Sequence, residues 1–111
     1  MAFNALTDIS FQTEVLESEQ PVLVEFYTEW SGRHHIISPG LQEIDKTYSA
    51  HAKFYRINTD IYKEIANEYG VQTIPTILLF KRGQLVDNIT GIVPKTVVVQ
   101  KLRDLLKPEK I

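Results

Sequence analysis

A mixed β-sheet with helices on both faces is the fold class this sequence predicts, and two observations carry it. Helix-spaced and strand-like apolar runs alternate along the chain. One strand-like run, Val22-Leu23-Val24-Glu25-Phe26-Tyr27, is apolar at all but one position, as a strand buried on both sides must be. At 111 residues the chain is large enough for one continuous core and too small for two, so residues 1–111 are read as one α/β domain.

The elements follow in order. Asp8 is a suitable N-cap for a helix to about Glu17, with Phe11, Val15 and Leu16 facing inward. Pro21 separates it from the Val22–Tyr27 strand, which is read as central. After Trp30, the apolar set Ile37, Leu41, Ile44 and Tyr48 has the spacing of a long helix over about 31–49, with Pro39 inside it. Lys53–Asn58 is a second strand, and Asp60 can cap a third helix with Ile61, Ile65 and Tyr69 inward and Gly70 at its end. Thr76–Phe80 and Leu85–Thr90 flank Arg82-Gly83 as a hairpin. A last helix starts near Pro94, buries Val98, Leu102 and Leu105, and ends before Pro108. The predicted sheet has four to five strands and four helices flank it.

Composition narrows the function. A formal charge of −2 offers no general attraction to nucleic acid or an anionic membrane. The segment Met1–Asp8 lacks the basic and long apolar stretches of a signal peptide, and the chain reads as cytoplasmic. Asn88-Ile89-Thr90 has the glycosylation pattern, which matters only in a secreted chain. There is no cysteine, which removes disulfides, thiolate nucleophiles and Cys-type metal sites together.

Val24-Glu25-Phe26-Tyr27-Thr28-Glu29-Trp30-Ser31-Gly32 resembles the strand and turn that precede the active site of thioredoxins. Asn58-Thr59-Asp60, then Tyr69 to Thr76, then Phe80-Lys81-Arg82-Gly83, and finally Gly91 recur in the family's order. The resemblance covers nearly the whole chain and implies the thioredoxin fold. In that family the tryptophan is followed by Cys-Gly-Pro-Cys, whereas here Ser31-Gly32-Arg33-His34 follows. A hydroxyl has far too high a pKa to replace the attacking thiolate and forms no equivalent of a mixed disulfide, so thiol exchange is chemically excluded. Pro75 matches the family's cis-proline, and Trp30 and Gly91 match other walls of its substrate groove. The resemblance thus implies a binding surface of Trp30, Ser31, Arg33, Ile74, Pro75, Gly91 and Ile92.

Ser31 can simply cap the long helix. The sharper alternative makes it a nucleophile, with His34 as base and Glu25, which matches the family's buried acid, as the orienting group. His34 and His35 point about 100° apart on a helix and are poorly placed to share an ion, so no metal or other cofactor is expected. Together with Arg33 they favour an acidic partner segment. Buried Glu25 needs a partner, either Arg56 on the next strand or His34 from above. Three functions stay open: a redox-inactive module gripping an extended protein segment in a chaperone-like or assembly role, a Ser31/His34/Glu25 hydrolase, and a passive scaffold.

Overall fold

Six consecutive residues with no polar face must be covered on both sides, and the strand they form, β2 (Val22–Tyr27), is buried at every position. The computed structural model describes residues 3–108, so both ends of the 1–111 domain reading lie outside the described residues. Parallel β3 (Lys53–Asn58) lies on one side of β2 and antiparallel β4 (Thr76–Lys81) on the other. A two-residue strand, β1 (Asn4–Ala5), adds parallel to β3, and β5 (Gln84–Thr90) pairs antiparallel with β4. The five-stranded order is β1-β3-β2-β4-β5, with β2 central as predicted.

Alternation along the strands splits the core in two. Leu23, Ile77 and Leu79 pack with Leu41 and Ile44 of α2 (Gly32–Tyr48) and with Val98 and Leu102 of α4 (Lys95–Leu105). On the other face Val24, Phe26, Leu78 and Phe80 meet Phe11 of α1 (Asp8–Phe11) and Ala66 of α3 (Lys63–Glu68). The hairpin turns through Arg82 (φ 51°) and Gly83 (φ 75°), two left-handed residues whose twist suits the strands they join. A Cβ at Gly83 would come within 2.2 Å of the Leu16 carbonyl oxygen, so only glycine fits there.

Two helix starts differ from expectation. Thr7, not Asp8, caps α1: its Oγ1 accepts from the Ser10 N–H while Ser10 Oγ accepts from the Thr7 N–H. Beyond Phe11 the helix widens to a π-helical stretch, Gln12–Leu16, and the Glu17 N–H reaches back five residues to the Gln12 carbonyl. Nor does Asp60 cap α3. Asn58 organises that turn instead, its carbonyl accepting from the Ile61 and Tyr62 N–H groups and its side chain from the Asp60 N–H. The helix therefore begins only at Lys63, and Ile61 is left 66% exposed rather than facing inward.

Candidate functional site

At the end of β2 the chain turns through Thr28 to Trp30 and enters α2 at Ser31. The Ser31 hydroxyl accepts from the His34 N–H at 3.2 Å, so it is the helix cap. That turn aims the His34 side chain back at the sheet. Its Nδ1 lies 2.5 Å from Glu25 Oε2, and both residues are buried. A proton occupies that gap in either form of the pair: the imidazole N–H donates to a carboxylate, or the carboxylic acid donates to the imidazole. His34 therefore takes the hydrogen bond for which Arg56 was the rival.

Arg56 still belongs to the cluster. It is in register with Glu25 across β2 and β3, its guanidinium lies 5.2 Å from the Tyr27 ring centre, and its buried Nε has no hydrogen bond among the described residues. The Tyr27 ring packs on the imidazole at 4.6 Å between centres. Sequence reasoning did not single out Tyr27, although strand alternation holds the signal, since residues 25 and 27 share a face of β2. Burial pushes the Glu25 carboxyl above its ordinary value of 4.5, opposed by the His34 hydrogen bond and by the charges of His34, Arg56 and His35.

This geometry completes only half of the hydrolase constellation. The His34–Glu25 link exists, but the Ser31 hydroxyl is bonded to the helix backbone, and no hydrogen bond joins it to the imidazole among the described residues. The sequence placed the two histidines pointing apart, but the His35 ring packs 4.9 Å from that of His34 between centres, held there with its Nε2 3.1 Å from the Glu29 carbonyl oxygen. Among the described residues no three His, Asp or Glu side chains converge as a metal site.

The remaining predicted residues lie at one end of the sheet. Phe26 pairs with Thr76, and Thr76 with Thr90, so the turn after β2, the Ile74-Pro75 approach to β4 and the Gly91-Ile92 exit from β5 emerge side by side. The Pro75 carbonyl accepts from the Gly91 N–H at 2.8 Å, the Ile74–Pro75 peptide is cis, and Gly91 has φ 80°. Pro75 itself is buried and Ile74 half-buried, while Trp30 is 91% and Ile92 49% exposed. Gly32 and Arg33 are exposed beside them. The Ile74 N–H and C=O make no hydrogen bond among the described residues, which leaves a short free backbone edge.

The sequence model of the thioredoxin family matches residues 2–104. The chain is 44% identical over 98 residues to thioredoxin 1 of Synechococcus elongatus, covering 88% of this chain and 92% of that one. It is 41% identical over 102 residues to a thioredoxin of Pyropia yezoensis, covering 92% and 95%. A chain from a structural study of thiol resolution in yeast mitochondrial 1-Cys peroxiredoxin via glutathione and thioredoxin systems superposes with a TM-score of 0.84 at 26% identity, covering 93% of this chain and 95% of the other.

Proposed function

The chain belongs to the thioredoxin family yet holds no cysteine, and from that premise we propose that it is a redox-inactive binding module. An extended segment of a partner protein lies across Trp30, Ile74-Pro75 and Gly91-Ile92, pairing its backbone with that of Ile74. This is strand addition on a minimal edge, and it needs no sulfur. Ser31 and Arg33 border the path, and Arg33 favours acidic side chains in the partner. Chaperone-like holding and assembly of a complex both use such a grip.

One observation carries the reading. A free Ile74 backbone edge emerges at the end of the sheet where a tryptophan is 91% exposed. Exposed aromatic rings beside unpaired backbone are what a docking segment can use, and indole is enriched among residues that dominate binding energy. By contrast, the serine a hydrolase would need is occupied as a cap.

The test uses seven-residue peptides selected from a random library on the wild-type protein. Trp30→Ala should weaken them by about 2 kcal/mol, roughly 30-fold. Peptides held equally well by Trp30→Ala place the binding surface elsewhere and favour the passive scaffold. In parallel, the protein should add nothing to the reduction of insulin disulfides by dithiothreitol, since it has no atom that can form the mixed disulfide.

A further inference from the structure

We propose that a cavity between α2 and α4 receives one apolar side chain, of leucine to phenylalanine size, from the segment bound in the groove; the source of that side chain rests on the groove reading. The cavity measures about 130 Å³, with Leu41, Ile44, Ile77 and Val98 in its lining and exposed Ile36 and Ile92 among its apolar walls. An apolar void of about 150 Å³ stays dry and takes up a single benzene-sized group, whereas drug-sized ligands need about 300 Å³ or more. One side chain is the occupant that fits.

Three further observations point the same way. Gly40 also lines the cavity, although glycine in the interior of a 17-residue helix is unfavourable relative to alanine. Nothing in the backbone requires it, because an added Cβ would meet only the Lys95 side chain, at 3.9 Å. Its effect is to leave the cavity open. Lys95, the charged residue of the lining, has its Nζ 2.9 Å from Glu43 Oε2, so the cavity does not call for an anion. Finally, Ile92 belongs to both the groove and the cavity, and it directly follows Gly91, which is bonded to Pro75. A segment lying along the groove thus passes the cavity.

Gly40→Leu should plug the cavity from its own wall while improving helix propensity, and Gly40→Met serves if the leucine variant does not fold. The probes are benzene, followed through the methyl resonances of Ile36, Ile44, Ile92 and Val98, and the peptides selected on the wild type. The expected result is that benzene shifts these methyls in the wild type but not in the plugged protein. Selected peptides should share an apolar residue at one fixed position and weaken at least tenfold on plugging, with thermal melting unchanged or raised. Peptides that lose affinity with Trp30→Ala but keep it with Gly40→Leu would overturn the pocket and leave the groove. Peptides that lose affinity with Gly40→Leu alone would support the pocket and overturn the groove. No selected peptide, or insensitivity to both changes, would overturn both.

Discussion

Only three residues separate Trp30 from His34, yet the two side chains live in opposite surroundings. His34 is buried against Glu25, Tyr27 and the start of α2, in a polar cluster whose main hydrogen bond is closed inside the protein. Trp30 stands in solvent, at the end of the sheet where the Ile74 backbone has no partner among the described residues. On the proposed reading, the buried titratable groups and the binding surface are separate parts of the molecule. The buried cluster holds the end of β2 to the start of α2, and the exposed edge is where another molecule can be recognised.

The largest effect that can break this comparison is on stability. His34→Ala removes one partner of a buried pair and strands the Glu25 carboxyl, which should cost about 3 kcal/mol in urea unfolding. A loss below about 0.5 kcal/mol would mean that the cluster does not hold the two elements together. Glu25→Gln is milder, because it keeps the volume and a hydrogen-bonding group, and its signature is the pH dependence. Burial holds the Glu25 carboxyl above 4.5, so the folded state keeps a proton that the unfolded chain has already released. The stability this contributes is fully present below about 4.5 and is lost as pH rises through the raised value. The unfolding free energy of the wild type minus that of Glu25→Gln should therefore fall over that window. Asp87 and Glu43, held below their ordinary values mainly by hydrogen bonds from Lys101 and Lys95, act oppositely but equally in both proteins and cancel. A difference that climbs with pH would show that pairing outweighs burial.

These sites differ in how far the sequence reveals them. The apolar run of β2, the Arg82-Gly83 turn and the spacing of Leu41, Ile44, Val98 and Leu102 are local patterns, and each element formed where its pattern lies. Helix starts were less legible, because several residues compete to cap them. Thr7 outcompetes Asp8 through its reciprocal bonds with Ser10, and Asn58 takes the turn that Asp60 was expected to organise. The partner of Glu25 stayed open for a different reason. Register puts Arg56 opposite it, but only the orientation of α2 over the sheet brings the imidazole closer. The cavity beside Gly40 has no one-dimensional signal beyond an unneeded helical glycine, since its walls come from α2, β4, α4 and the residues just before α4.

A smaller effect sharpens the exposed half of the comparison. Arg33 is exposed at the start of α2, so Arg33→Glu should leave thermal melting within the scatter of surface substitutions. Association with an acidic peptide should slow several-fold at low salt, and the gap should narrow as salt rises. An effect confined to dissociation and indifferent to salt would place Arg33 in direct contact rather than at the rim.

On the function proposed above, the exposed edge, not the buried polar pair, does the protein's work. The most direct test of that assignment is the affinity of one selected peptide for the wild type, Trp30→Ala and Glu25→Gln, measured by titration at a pH where all three are folded. The expected result is a loss of roughly 30-fold for Trp30→Ala and a change within about twofold for Glu25→Gln. Unchanged affinity for Trp30→Ala together with abolished binding in Glu25→Gln would contradict it and return the function to the Glu25–His34 cluster.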